Sequence, residues 1–185
     1  KIEGYGEAMV FPTSIFDSKE FIANYTYDGD DLGAVIQADG STTFKVWAPT
    51  AKNVSVKIYS EGDYGKGSVL KEQAMTLGEK GVWSVTISGN WDGKYYNYIV
   101  DHGSYTVEAV DPYARSTGAN GDRGMIINMD AYDPEGWDKD LSPNQGMNYT
   151  DAIIYEMHIR EMTIDSSSGV KDEWKGKYLG MTQTG

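Results

Sequence analysis

The chain has 185 residues, of which 39% are hydrophobic and 24% charged, a composition typical of a folded globular protein and not of a disordered one. Its net charge of −12 argues against a nucleic-acid partner, because phosphates need a basic patch, but leaves neutral ligands such as polysaccharides open. Cysteine is absent, which excludes disulfides and thiolate chemistry, and no apolar run is long enough to predict a membrane span.

Residues 1–31 show weak hydrophobic periodicity and are interpreted as an N-terminal segment or linker. The stretch FDSKEFIANY predicts a short helix, since Asp17 or Ser18 provides an N-cap directly before the helical pattern. The chain begins with Lys1 and has no signal-peptide pattern, so we expect a processed or excised product. The location stays open, and for a bacterial protein we favour the extracellular space or cell surface over the cytoplasm.

Three aspartates follow in the stretch YDGDDLGA, at Asp28, Asp30 and Asp31. A calcium loop of the EF-hand type needs oxygen ligands at alternate positions and a distant glutamate, and no clear terminal glutamate follows here. We interpret the stretch as a solvated turn, and we predict neither a metal site nor a cofactor.

From residue 41 onward, short segments with a two-residue hydrophobic period alternate with glycine-rich turns. In one segment Val54, Val56 and Ile58 lie on one face, with polar residues between them. The predicted strands are TTFKVW, NVSVKIY, GVWSVTIS, KYYNYIV, SYTVEAV and GMIINM. No helical period separates these segments. The predicted fold class is therefore mainly β, an immunoglobulin-like antiparallel β-sandwich over residues 32–137.

A polar connector, residues 138–150, follows the predicted sandwich and leads into a last segment, residues 151–185. Its first stretch, Asp151–Ile164, has bulky residues on both faces, as a parallel strand buried inside a sheet does. A parallel strand needs a partner after a crossover, and the loop-like residues that follow provide none. Two interpretations are open, an additional edge strand of the sandwich or the first strand of a second domain that this sequence contains only in part.

Taken together, five stretches resemble the N-terminal part of type I pullulanases, which are glycoside hydrolases of family 13 in the α-amylase superfamily. TTFKVWAPTA and GVWSVTISGNWDGKYYNYIV resemble the sandwich that precedes an amylase-type barrel, and YDGDDLGA stands before them in the order of the family. EAVDPYARSTGANGDRGMI narrows the resemblance to pullulanase-like debranching enzymes. DAIIYEMHIREMTI resembles the first strand of their barrel, and the resemblance covers roughly residues 25–185.

The resemblance implies a fold and a function. The sandwich would be a carbohydrate-binding module of family 48, and residues 151–185 would begin a truncated catalytic (β/α)₈ barrel. The parent protein would hydrolyse α-1,6 linkages in pullulan, amylopectin and related α-glucans with retention. The partners would be the α-glucan and the remainder of the barrel, in the same protein or as a separate fragment.

Three alternatives to a pullulanase are weighed. One is the same architecture in an isoamylase, a glycogen-debranching enzyme or a branching enzyme. Another is a non-catalytic α-glucan-binding module, and the third is a structural sandwich that mediates protein contacts. A barrel with a GFRFD-like strand after Gly185 would favour an enzyme over both non-catalytic readings.

The resemblance places the catalytic carboxylates on later barrel strands, in motifs resembling GFRFD, and no such motif occurs in this sequence. Retaining hydrolysis needs a nucleophile and an acid held about 5 to 5.5 Å apart. We therefore assign no catalytic residue, and we predict that this chain alone is inactive.

Sugar binding calls for exposed flat aromatic side chains flanked by hydrogen-bonding groups. The candidates are Tyr64, Trp91 and Tyr105, which lie in predicted loops or at strand starts. By the resemblance, the regions of Tyr64 and Tyr105 fall where related modules place stacking aromatics. Trp47 and Trp83 are interpreted as packing residues of the core. The alternative is a module that serves only as a scaffold.

Glu156, His158 and Arg160 share one face of the predicted strand at a two-residue period. We interpret them as a structural polar cluster that supports a barrel, because buried charges need partners. A catalytic role for His158 is not predicted.

Overall fold

A computed structural model describes Gly4 and residues 14–183. The predicted N-terminal segment, 1–31, therefore lies partly outside the described residues. The chain forms two compact units, Lys1–Pro134 and Glu135–Gly185. No helix in the described part of the chain has the length and apolar character needed to cross a bilayer.

Helix α1 spans Lys19–Tyr25, as the sequence predicts. It begins at Ser18, whose side-chain oxygen accepts a hydrogen bond of 3.1 Å from the backbone N–H of Phe21. This cap satisfies one of the N–H groups that the first turn of a helix leaves without an internal partner. Of the two N-cap residues expected, the structure selects Ser18.

Nine strands lie in the part of the first unit that the structure describes. Their bounds are β1 Gly33–Ile36, β2 Thr42–Trp47, β3 Asn53–Tyr59, β4 Val69–Ala74, β5 Thr76–Leu77, β6 Val82–Ile87, β7 Tyr95–Asp101, β8 Thr106–Ala109 and β9 Gly124–Met125. One sheet has the order β1-β2-β6-β5 and the other β4-β3-β7-β8, with β9 also paired to β7. Every pairing is antiparallel. The predicted antiparallel β fold is confirmed.

The core lies between the inner faces of the two sheets. Alternation along each strand sends every second side chain inward, as predicted for Val54, Val56 and Ile58 of β3. Phe44 and Tyr96 pack edge-to-face with ring centroids 5.2 Å apart. The cluster of buried residues consists of Phe44, Val46, Val54, Val56, Ile58, Met75, Trp83, Ile87, Tyr96, Tyr98 and Ile126.

Three strands were not predicted, β1, β4 and β5. Residues of β4 are exposed or half-buried on both faces, so its sequence VLKEQA shows no hydrophobic alternation. Strands β1 and β5 are only four and two residues long. The predicted strand GMIINM is reduced to Gly124–Met125, which pairs with the start of β7.

The expected strand at Asp151–Ile164 is not formed in this chain. Residues 152–158 pair with no strand, and α2 spans Ile159–Ile164. A strand is stable only when a neighbour satisfies its N–H and C=O groups, and the described residues of the second unit contain no such neighbour. The assignment of residues 151–185 to a barrel is a prediction for the complete protein.

Short 3₁₀ helices complete both units. They span Glu79–Gly81, Ala119–Gly121, Met129–Tyr132, Trp137–Lys139, Tyr149–Asp151, Ser166–Ser168, Asp172–Trp174 and Tyr178–Thr182. In the second unit, the buried hydroxyl of Thr163 donates to the carbonyl of Ile159 at 2.8 Å and accepts from the N–H of Gly176 at 2.9 Å. Thr163 thereby ties α2 to the turns that follow it.

The predicted polar cluster of Glu156, His158 and Arg160 is not formed in this chain, and its role in a barrel stays a prediction for the complete protein. All three side chains are exposed, and no ion pair joins them. Without a sheet around residues 152–158 nothing desolvates these groups, so nothing requires them to pair.

Candidate functional site

The outer face of the sheet β4-β3-β7-β8 is polar where its inner face is apolar. Residues alternating with the core positions of β3 and β7 point outward, and the outward set includes Tyr59 and Asn97. Glu108 of β8 pairs with Ile99 of β7, which places it on the same outer face. Of these three residues only Glu108 is exposed, whereas Tyr59 and Asn97 are buried, at 6% and 4% exposure.

A hydrogen-bonded group lies at one end of this face. The carboxylate of Glu108 accepts from the Tyr59 hydroxyl at 2.6 Å and from the Asn97 amide at 3.0 Å. Burial and the hydrogen bond to Glu108 raise the pKa of Tyr59 above its ordinary value. The Arg123 guanidinium lies 3.6 Å above the Tyr59 ring.

Tyr64 projects from the loop between β3 and β4. Its side chain is 78% exposed, while its backbone N–H donates to a carboxylate oxygen of Asp122 at 2.9 Å. The ring is therefore in solvent on a loop whose backbone is held in place, which is the arrangement that stacking on a sugar requires.

Trp91 occupies the loop between β6 and β7, and it is less exposed than the sequence suggests. Its indole packs partly against the core, and its ring N–H donates to the carbonyl of Ser88 at 3.2 Å. Because β3 ends where β7 begins, with Tyr59 opposite Tyr95, Trp91 and Tyr64 belong to loops at the same end of the sheet.

Tyr105 lies at the other end, in the turn between β7 and β8. It is 59% exposed and stacks on His102, with ring centroids 4.8 Å apart and an angle of 30° between the planes. The whole of β7 separates this turn from the Tyr64 loop, a distance of roughly 20 Å at about 3.4 Å per residue. The expectation that Tyr64, Trp91 and Tyr105 combine in one platform is therefore not met, and the role of each in sugar binding stays a prediction.

The two tryptophans interpreted as core residues differ. Trp83 is 6% exposed and belongs to the core, as predicted. Trp47 is 39% exposed, because it ends β2 on the face opposite Phe44 and Val46, and its assignment to the core is wrong. Its indole N–H donates to the carbonyls of Tyr25 and Lys80, at 2.8 and 3.0 Å.

Trp47 also lines a pocket of about 340 Å³ within the first unit, together with Phe21, Ile22 and Tyr25 of α1. The rings of Phe21 and Trp47 meet at nearly right angles there, 6.4 Å apart. The ring contact and the hydrogen bond from Trp47 to the carbonyl of Tyr25 hold α1 against the end of β2.

Sequence reasoning missed the polar residues of the outer face, namely Asn97, Glu108, Asp122 and Arg123. Two of them, Asp122 and Arg123, stand in the motif NGDRGM, which served only to identify a resemblance. The sequence shows an arginine inside a glycine-rich turn, but neither its burial nor the carbonyls that it contacts are visible there. Within the described part of the chain, no group of three or more His, Cys, Asp or Glu side chains is arranged to hold a metal ion.

Residues 31–114 match the family described as carbohydrate-binding module 48 (isoamylase N-terminal domain). The chain is 37% identical to the pullulanase of Bacillus subtilis over 95% of its own length and 22% of that protein. It is 36% identical to the chloroplastic pullulanase 1 of Arabidopsis thaliana over 85% of its own length and 17% of that protein. The chain thus spans about a fifth of the length of these relatives.

The fold agrees with these sequence similarities. The crystal structure of a pullulanase from Paenibacillus barengoltzii in complex with maltohexaose and α-cyclodextrin superimposes with a TM-score of 0.78 at 41% identity. The match covers 91% of this chain and 25% of that one.

Proposed function

Since this chain belongs to the pullulanase family and carries a family 48 carbohydrate-binding module, we propose that the complete protein is a debranching glycoside hydrolase. Its reaction is the hydrolysis of α-1,6-glucosidic linkages in pullulan, starch and related α-glucans. Within that protein, this chain supplies the sandwich module and the beginning of the catalytic barrel.

The observation that carries the proposal is the extent of the similarity. The module accounts for residues 31–114, whereas the similarity to the Bacillus subtilis pullulanase covers 95% of the chain and so includes much of the second unit. In that unit Ile153 and Ile154 are 96% and 91% exposed. Two adjacent isoleucines in solvent favour burial against a further domain, which supports the start of a barrel at residues 151–185.

The test is reducing-sugar release from pullulan by the complete protein and by this chain. We expect turnover by the complete protein and none by the chain, which lacks a pair of catalytic carboxylates on barrel strands. Product analysis separates the alternatives, because a branching enzyme rearranges α-glucan without a matching release of reducing ends. Turnover by the chain alone would contradict the proposal.

For the module itself, we propose binding of α-glucan at the end of the outer sheet face that carries Tyr64. The exposed ring of Tyr64 stands on a loop whose backbone N–H donates to Asp122, and the carbonyl of Asp122 accepts from Asn97 of β7, next to the exposed Glu108 of β8. An exposed ring on a loop that is held in place suits stacking on a neutral sugar, which the net charge of −12 does not repel.

This second proposal is tested by electrophoresis of the chain in gels with and without pullulan or amylopectin. Wild-type chain should be retarded by the glucan, and the Tyr64→Ala variant should be retarded less. Tyr149→Ala is the matched control, since Tyr149 is 99% exposed in the second unit. The Trp91→Ala and Tyr105→Ala variants show whether either aromatic contributes. A wild-type mobility that glucan leaves unchanged would mean that the module is a scaffold.

A further inference from the structure

We propose that Arg123 is a positioning residue for glucan binding, because it holds the loop of residues 60–68 in the conformation that presents the ring of Tyr64. This inference rests on the proposed binding of α-glucan by the module. The inference gives a reason for the burial of the Arg123 guanidinium, which the packing of the sheets does not require.

Arg123 is 5% exposed, and no carboxylate forms an ion pair with it among the described residues. Its Nη1 donates to the backbone carbonyls of Glu61 at 2.6 Å and of Lys66 at 3.0 Å. These two carbonyls flank Tyr64 on either side in the sequence. One guanidinium thus fastens both arms of the loop, and its flat face rests on the ring of Tyr59.

The anchor of Arg123 is the sheet itself. The carbonyl of Asp122 accepts from the Asn97 amide at 3.1 Å, and Gly124 pairs with Tyr96 of β7. Asp122 also accepts the backbone N–H of Tyr64 at 2.9 Å. A continuous set of hydrogen bonds therefore runs from β7 through residues 122–124 to both arms and the tip of the loop.

The loop needs this support because its glycines allow the backbone many conformations. Gly65 and Gly67 have φ values of 75° and 68°, in the left-handed region that glycine enters freely. Where the loop passes the neighbouring turn, a Cβ atom on Gly62 would lie 2.7 Å from the Cα of Gly118, so the approach leaves no room for a side chain. A loop fixed before binding loses less conformational entropy on binding than a mobile one.

The experiment is a double-mutant cycle on glucan affinity, measured by gel retardation of this chain with pullulan. Arg123→Met keeps a long side chain over Tyr59 but removes the hydrogen bonds to the loop, and Arg123→Lys restores one donor. Tyr64→Ala should weaken binding about fivefold, or about 1 kcal/mol. Arg123→Met should weaken binding by about threefold, which is less than the loss expected when the Tyr64 ring itself is removed. Arg123→Lys should recover part of that loss.

The decisive measurement is the glucan affinity of the double variant, Tyr64→Ala with Arg123→Met. If Arg123 acts through Tyr64, Arg123→Met causes no further loss in the Tyr64→Ala chain. An equal loss in both backgrounds would overturn the inference, since it would show a general structural effect or a direct contact. Arg115→Lys is the control for an arginine substitution on an exposed side chain away from the loop.

Other outcomes separate this inference from the function on which it rests. Wild-type chain that glucan does not retard contradicts the proposed binding. Retardation that is lost in Tyr64→Ala but unchanged in Arg123→Met contradicts only the positioning role. If melting curves show that Arg123→Met does not fold, Arg123→Lys takes its place in the same cycle, where it should weaken binding in the wild-type background and cause no further loss in the Tyr64→Ala chain.

Discussion

Asp111 is a carboxylate buried beside the aromatic core. It is 3% exposed and accepts from the hydroxyls of Tyr96 at 2.6 Å and Tyr98 at 3.2 Å, and from the N–H of Tyr113 at 2.8 Å. Burial raises the pKa of Asp111 above 3.8, and these hydrogen bonds offset only part of that effect. The contacts fasten the chain after β8 to the sheet, but at the expense of desolvating a charge.

The raised pKa of Asp111 predicts the sign of its pH effect. Between 3.8 and its raised folded value, the folded protein holds the proton that the unfolded chain releases, so stability from this group falls as pH rises. Asp111→Asn cannot titrate. Urea unfolding of both proteins from about pH 4 to pH 7 should show the wild type losing stability relative to the variant. A difference independent of pH, or one that grows in favour of the wild type, would contradict this account.

The two tryptophans at residues 47 and 83 are predicted to differ in stability. Trp83→Ala should lower the free energy of unfolding by about 3–5 kcal/mol, since it leaves a cavity in the core. Trp47→Ala should lower it by only about 1–2 kcal/mol, because 39% of Trp47 is already exposed. Urea titration of both variants measures the difference, and equal losses would show that α1 and Trp47 belong to the core after all.

At the scale of elements, most of the predicted strands have one apolar and one polar face, whereas β8 was predicted although it is exposed at a sheet edge. Strands β3, β6 and β7 lie next to other strands on both sides and carry the core, so burial imposes alternation on their sequences. Strands β1, β4 and β5 lie at sheet edges, where half of the pairing is missing and side chains stay exposed. The positions of these edge strands depend on how they pair with the neighbouring strands, and a single sequence does not show that pairing.

In residues 152–158 the sequence predicts a strand that is not formed in this chain. Its composition suits a buried strand, but composition does not supply a partner, and in this chain the residues stay unpaired. We predict fast amide hydrogen exchange over residues 153–158 and slow exchange in β3 and β7, because only the latter have ladder hydrogen bonds. Comparable protection of all three segments would show that the stretch packs as a real strand.

At the scale of the whole molecule, the candidate site could be predicted only in part. Tyr64 and Tyr105 were identifiable as aromatics in turns, but their separation by the length of β7 depends on strand pairing. Arg123 reaches Glu61 across 62 positions of sequence. Such contacts arise from the packing of loops that are distant in sequence, so no short sequence pattern predicts them.

The exposed isoleucines of the second unit lead to a prediction about assembly. Burying Ile153 and Ile154 is worth about 1.5–3 kcal/mol each, which favours association with the rest of a barrel. When this chain is mixed with the remaining part of the complete protein, the two should co-elute in size-exclusion chromatography. Exchange over residues 153–158 should then become slow, because a neighbouring strand would satisfy the backbone groups.

A matched pair of variants tests whether this segment drives the assembly. Ile153→Ser with Ile154→Ser should abolish co-elution and leave the melting of the sandwich unchanged, since both side chains are in solvent in this chain. Val69→Ser with Leu70→Ser is the control, because these apolar residues are exposed by 53% and 42% on β4, outside the segment. Co-elution that survives the isoleucine changes would show that the docking surface lies elsewhere. Co-elution lost in the control as well would place β4 in the interface, whereas loss in the isoleucine variant alone assigns docking to residues 152–158.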